Sequence, residues 1–281
     1  MKSWVKFNNQ LETNILVFDY SSRKYIFKDK KHQDLMRKTY ENPGIIVLEN
    51  VLEISLINRL REGIENQSRA WKDDFRIVSK EQSPDLIEAQ IEARRLILEI
   101  TQNIFGYDLP KKHSTSYRPM ISKDEPMHYD TGFIACGKIH LMSILNFDTK
   151  PRHWKTSLSF YELITLQSSY LKNILISDKR EIPPSAKIRE YSRKDPSRPL
   201  TNKDLIHDIK FAPNTLWFAN PKAISHQLVF GRGMFLNSWH VKITNCNCQW
   251  CLLKKIGLEE TINQEIRGKE KKSLKQKRYR G

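Results

Sequence analysis

The chain has 281 residues, 39% of them hydrophobic, enough for one large core or at most two small ones and too long to depend on staples. Its 48 Lys and Arg outnumber 32 Asp and Glu, and the resulting formal charge of +16 favours anionic partners: nucleic acid, an acidic membrane face or acidic small molecules. No uninterrupted apolar run exceeds four residues, which excludes a membrane-spanning helix.

At the amino terminus Met1–Lys6 leads into Asn8, Asn9, Gln10 and Glu12 rather than an apolar stretch, so no cleaved secretory signal is expected. Four cysteines, Cys136 alone and Cys246, Cys248 and Cys251 clustered, do not make a disulfide framework, and a reducing cytoplasm is the expected setting. The first strongly patterned stretch, Gly44–Leu52, predicts a buried strand. Leu56, Ile57, Leu60 and Ile64 recur at helical spacing within Ser55–Arg69, and Asp85–Phe105 repeats the pattern, which predicts two amphipathic helices, the second capped near Ser83 or Asp85.

After Pro110 the texture changes to short strand-like runs: Ser116–Met120, Lys138–Phe147, Ser157–Ile164, Asn214–Ala219, His226–Phe230 and Met234–Ile243. Short strands separated by turn residues suggest a sandwich or barrel. Asp178–Asp208, with four prolines and eight Lys or Arg, reads as an excursion over the surface that could serve as a lid. From Arg267 to Gly281 the net charge is +7, either a solvated extension or an electrostatic attachment to a phosphate-bearing surface.

The chemistry-bearing segment is His128-Tyr129-Asp130. In extended backbone residues i and i+2 share a side, so an imidazole and a carboxylate can face one ion. Two histidines and one carboxylate on one face leave the coordination positions that non-haem Fe(II) needs for a co-substrate and O₂. His226 is the best third ligand, since it follows the strand-like Phe211–Ala219 and precedes a second strand after the Gly231-Arg232-Gly233 turn. A second match, His32-Gln33-Asp34, lies in the charged Lys28–Arg37 run without strand pattern and is set aside. Cys246-x-Cys248-x-x-Cys251, with His240 upstream, offers soft ligands for a structural zinc, against plain thiols near a strand end.

This order, a strand, two helices, His-x-Asp and a distal His, resembles the Fe(II)- and 2-oxoglutarate-dependent dioxygenases, and within them most nearly the bacterial hydroxylases of 3-deoxy-D-manno-oct-2-ulosonic acid (Kdo) of lipopolysaccharide inner core. Four stretches carry the resemblance: Ser116-Tyr117-Arg118-Pro119; His128-Tyr129-Asp130; Leu145-Asn146-Phe147-Asp148 with Pro151-Arg152-His153-Trp154; and Phe211–Trp217 with Ser225-His226. It implies an α+β, mainly β fold: a double-stranded β-helix (jelly-roll, cupin-like) core at about 110–245, helical support at about 52–105, one domain over 1–265 and a basic tail at 266–281. It implies catalytic Fe(II) on His128, Asp130 and His226, with 2-oxoglutarate chelating the metal. An arginine suits the co-substrate's far carboxylate because its planar fork binds bidentately. Many relatives carry Arg or Lys ten or eleven residues beyond the distal histidine, where this chain has Leu236 and Asn237. Arg118 is then the favoured clamp, Arg232 the second choice, with Asn146 either assisting or closing a strand end. Arg152 is read equally as a site residue or as surface charge, and Trp154 and Trp217 as core.

The resemblance implies hydroxylation of a C–H bond, favoured over halogenation because Asp130 stands where halogenases have a small residue. An acidic, lipid-linked sugar substrate agrees with the charge, and residues 267–281 would hold the enzyme peripherally at the anionic face of the inner membrane. The alternatives are a 2-oxoglutarate-dependent hydroxylase of an amino acid, nucleotide or nucleic acid, and a non-catalytic RNA- or membrane-binding protein; nucleic acid is not favoured because no recognition module is evident.

Overall fold

The structure, a computed structural model, describes residues 4–11, 13–23, 26–67, 83–110, 114–119, 122–130, 137–177, 187, 190, 205–243, 249–255 and 257. The tail at 266–281, Cys246, Cys248 and most of Asp178–Asp208 lie outside them.

The elements run β1 (Trp4–Lys6), β2 (Ile15–Asp19), α1 (Tyr20–Arg23), α2 (Lys30–Glu41), β3 (Ile45–Glu49), α3 (Ile54–Gln67), α4 (Pro84–Phe105), β4 (Ser114–Arg118), β5 (Ser122–Lys123), β6 (Lys138–Asn146), β7 (Arg152–Ser159), α5 (Phe160–Ser177), β8 (His207–Phe211), β9 (Thr215–Ala219), β10 (Ile224–Gly231), β11 (Met234–Lys242) and α6 (Gln249–Lys255). They form two sheets, β1-β8-β7-β10-β5 and β2-β3-β9-β6-β11-β4, antiparallel throughout except for the β2–β3 pair. The mixed α+β, strand-rich class read from the sequence is observed. No helix among the described residues is long and apolar enough to cross a membrane.

Period-two alternation builds two cores from one sheet. On β6, Ile139, Leu141 and Leu145 join the core that packs beneath α2, α3 and α4, whereas Met142 and Ile144 join the core between the sheets. On β11, Phe235, Trp239 and Val241 face the helices and Met234 faces the other sheet. The inter-sheet core is aromatic: Phe211 stacks on Trp217 at 3.9 Å, and Trp154 of one sheet meets Trp217 of the other at 5.8 Å. Both tryptophans are core residues, as read.

Expected helices appear at α3 and α4, and Ser83 is the cap, its Oγ accepting from the Leu86 N–H at 3.2 Å. Two readings need correction, and the setting aside of His32-Gln33-Asp34 agrees with the structure. The run Ser157–Ile164 is not one strand: it ends β7 and begins α5. Ser159 Oγ accepts from the Glu162 N–H at 3.1 Å while the Glu162 carboxylate accepts from the Ser159 N–H, a reciprocal cap that turns the chain from strand to helix. The end of the Asp178–Asp208 excursion is strand, since His207 and Asp208 open β8 and pair with β7. The charged Lys28–Arg37 run enters α2, capped by Asp29, so His32 and Asp34 lie two apart on a helix and do not share a face.

Candidate metal centre

Tyr129 sets the geometry. Its buried ring packs edge-on against Phe160, 5.6 Å between centroids, and its hydroxyl donates to the Leu158 carbonyl at 2.7 Å. With Tyr129 anchored to that core, the neighbours on either side in extended chain, His128 and Asp130, turn the opposite way. His128 bridges His226 on β10 through two backbone hydrogen bonds of 2.9 and 2.8 Å, and the Asp130 N–H donates to the Pro221 carbonyl at 2.8 Å. A local pair and a residue almost a hundred positions on are thereby brought to one point.

The Nε2 atoms of His128 and His226 lie 3.6 and 3.7 Å from Asp130 Oδ1, and one donor atom from each residue falls within 4.8 Å of the others. Two donors each roughly 2.1 Å from one ion can be no more than about 4.2 Å apart, so both carboxylate–imidazole separations suit a shared metal. His128 Nδ1 lies 2.8 Å from the Pro126 carbonyl and His226 Nδ1 lies 3.3 Å from the Ile224 carbonyl. A carbonyl only accepts, so each Nδ1 carries a proton and each Nε2 faces Asp130, donating to it when the ring is charged and offering a lone pair to an ion when it is neutral. Burial raises the Asp130 carboxyl, but the hydrogen bond from His128 and the charges of His226, His128 and His140 outweigh it, and the group is held below its ordinary value. It is an ionised carboxylate at neutral pH.

The other candidates separate. Arg118, on the sheet edge, is exposed, and its Nε donates to Ser116 Oγ at 3.0 Å. Arg232 pairs with the buried Asp148 carboxylate at 2.8 Å, which ties down the turn between β10 and β11. Asn146 donates to the carbonyls of Lys150, Phe211 and Ala212 and accepts from the Asp148 N–H, so it closes a strand end. Asn237, ten or eleven residues past His226 with Leu236, is buried on the helix side and accepts from Thr115. Cys251 begins no cluster among the described residues, its two proposed zinc partners lying outside them.

Arg152 is the residue underestimated from sequence. It is 5% exposed, its Nε has no hydrogen-bond partner, and it forms no ion pair among the described residues. Alternation along β7 puts Arg152 and Thr156 on the face of Trp154, toward the other sheet, and Trp154 lies 5.2 Å from the His226 ring. Gly231 makes room for it: a Cβ there would come within 2.7 Å of Arg152 Cγ and Cζ. Burial pushes the guanidinium down to about 10, with Glu125 and Asp148 opposing and Arg118 adding to the shift. Thr156 Oγ1 and His140 Nδ1 are likewise buried without hydrogen-bond partners among the described residues, so several such polar atoms lie along the inter-sheet face.

No family model matches the sequence, and no curated protein matches it. Among solved structures the chain resembles the Kdo hydroxylase KdoO, described as a non-haem Fe(II) α-ketoglutarate-dependent dioxygenase. The complex with cobalt(II) gives a TM-score of 0.63, that with succinate and Fe(III) 0.61 and that with α-ketoglutarate and Fe(III) 0.59. Each is 14% identical and the matches cover 86% of this chain and 95% of that one. The likeness establishes that this chain has the fold of those structures.

Proposed function

We propose that this chain is an Fe(II)- and 2-oxoglutarate-dependent oxygenase that hydroxylates a C–H bond of a Kdo sugar. In this reading His128, Asp130 and His226 hold the metal, and the two sheets are the halves of a double-stranded β-helix within one unit spanning residues 1–265. The observation that carries it is the buried Arg152, whose Nε has no hydrogen-bond partner and which forms no ion pair among the described residues, on the same inter-sheet face as the triad. A guanidinium removed from water without a partner is costly, and a carboxylate ligand is what its fork accepts.

When bound, the metal with its keto acid supplies O₂-dependent hydroxylation, with the keto acid leaving as succinate and carbon dioxide. The protein's part is positional. The Pro126 and Ile224 carbonyls hold both imidazoles in the tautomer that ligates. Arg152, reaching in from β7, fixes the far carboxylate of 2-oxoglutarate and replaces the cation that Leu236 and Asn237 cannot supply. Trp154, Trp217 and Phe211 line the inter-sheet core with aromatic surface and keep it dry.

Two considerations support Kdo as substrate. It is the substrate of the solved structures that share this fold, and it is acidic, as the +16 charge favours. Residues 267–281 would then draw the enzyme to the anionic leaflet that carries lipid-linked Kdo. The test is succinate release in the presence of Fe(II) and O₂ with Kdo-terminated lipid A, beside free amino acids and oligonucleotides. Release above background with the Kdo acceptor alone is expected; release with either of the others instead contradicts the substrate, and none with any acceptor contradicts the activity.

A further inference from the structure

The chain that follows β1 folds back across its own sheet, and one histidine fastens it there. His207, which opens β8 and is 2% exposed, has both ring nitrogens engaged: Nδ1 accepts from the Asn8 N–H at 3.0 Å, and Nε2 lies 3.1 Å from the Thr13 carbonyl. A backbone N–H only donates and a carbonyl only accepts, so the ring is neutral with its proton on Nε2. Phe7 meets the same ring edge-on at 5.9 Å between centroids, and β1 pairs with β8 just ahead of it, with Lys6 opposite Asp208. One imidazole thereby ties a strap, residues 7–11 and 13, to the sheet.

The strap matters for what it carries inward. The Leu11 N–H donates to the Asn8 carbonyl at 3.1 Å, and Leu11 is buried in the apolar cluster that contains Tyr129, Leu158 and Phe160. Tyr129, seated in that cluster, is what turns His128 and Asp130 toward the metal position. On the sheet itself His207 pairs with Thr156 of β7, and Thr156 with His226 of β10. Burial keeps a second proton off the ring more strongly than the Thr13 carbonyl and the charge of Glu162 on α5 favour one, so the group is held below its ordinary value. Lys6, Asp208 and Lys155, the charged neighbours on β1, β8 and β7, alternate onto the opposite face of the sheet, and His226, two strands away, belongs to the triad.

We propose that His207 is a positioning residue for the metal centre: while neutral it latches the strap and, through Leu11 and Tyr129, holds His128 and Asp130 in place beside His226; once protonated it releases the strap and the centre loosens. The inference rests on the metal-site reading and adds to it a pH-sensitive hold. A second proton can enter only at Nδ1, where it meets the Asn8 N–H, and turning the ring over does not relieve the conflict, because an imidazolium donates from both nitrogens. A released ring takes up its proton near pH 6.5 and the latched ring does not, so the latch holds fully above that pH and weakens by up to about tenfold per pH unit below it.

The test is hydrogen exchange over residues 4–13 of the full chain at about pH 7.5 and 5.5, corrected for intrinsic rates, beside Co(II) titration. His207→Gln offers one acceptor and one donor without titrating and keeps every other titrating group; His207→Leu offers neither. Wild type is expected to exchange at least about threefold faster at the lower pH, His207→Gln to change by less than about twofold, and His207→Leu to exchange fast at both. At the higher pH, Co(II) affinity should be alike in wild type and His207→Gln and at least about fivefold weaker in His207→Leu. Should His207→Leu fail to fold, the affinity of His207→Gln relative to wild type carries the same test, because it is expected to rise to about threefold at the lower pH. Wild-type exchange that tracks His207→Gln at both pH values overturns the latch. A released strap with unchanged Co(II) affinity overturns its link to the metal centre. If wild type binds no Co(II) at the higher pH, the metal-site reading itself fails, whatever the exchange shows.

Discussion

Replacing Arg152 by Met should move stability and co-substrate binding in opposite directions. Methionine keeps an unbranched apolar stem but removes a guanidinium that is 5% exposed and forms no ion pair among the described residues. Burial holds that group at about 10, a depression from its ordinary value worth roughly 3 kcal/mol at about 1.4 kcal/mol per tenfold change. The ligand-free Arg152→Met protein is therefore expected to be as stable as wild type or more so, by up to about 3 kcal/mol. Binding should fall, because losing one partner of a buried charge pair costs about 2–5 kcal/mol, or roughly 30- to 5,000-fold in affinity. Arg152→Lys keeps the charge without the fork and should lie between. The assay is anaerobic titration of 2-oxoglutarate into the Fe(II)-loaded protein, followed by its visible charge-transfer band, beside urea unfolding of the ligand-free form. A variant that binds 2-oxoglutarate within about threefold of wild type, or that is destabilised by about 2 kcal/mol without ligand, would refute the reasoning.

Tyr40→Phe should destabilise by about 1–3 kcal/mol in urea unfolding, since the buried hydroxyl accepts from the Met142 N–H at 3.0 Å and donates to a carbonyl of the His140 and Ala219 pair. Ser83→Ala removes the cap of α4 and should cost about 0.5–2 kcal/mol, with glycine at that position costing less. Burial, with the charges of Lys222 and His240, pushes His140 down to about 3. The unfolded chain binds that proton near pH 6.5 and the folded chain does not, so folding stability falls with pH below 6.5, by about 1.4 kcal/mol per pH unit. Between pH 7.5 and 5 the metal-free wild type should lose about 2 kcal/mol more than His140→Leu in urea unfolding.

The triad was legible in the sequence because two of its members are local: alternation in extended chain puts His128 and Asp130 on one side whatever surrounds them. The third needed only a histidine on a later strand beside them, and β10 supplies His226. Which arginine enters the core depends on strand parity across two sheets, which composition does not reveal. The signal was nevertheless present, because reading Trp154 as core also turns Arg152 inward two residues earlier. Arg232 and Asn146 looked suitable by position but are spent on Asp148 and on strand-end carbonyls. Among the elements, α5 was hidden by its aromatic and β-branched start, although Ser159-x-x-Glu162 is a helix-start signature. The α2 helix was hidden by its charge, its inward face reduced to Met36, Thr39 and Tyr40.

The central claim is that three side chains form one metal site, and Co(II) titration followed by its visible ligand-field bands tests it without turnover. One Co(II) per chain is expected in the wild type, with saturation lost in each of His128→Ala, Asp130→Ala and His226→Ala while the far-ultraviolet circular dichroism stays unchanged. Stoichiometric Co(II) binding that survives His226→Ala with the same spectrum would contradict it.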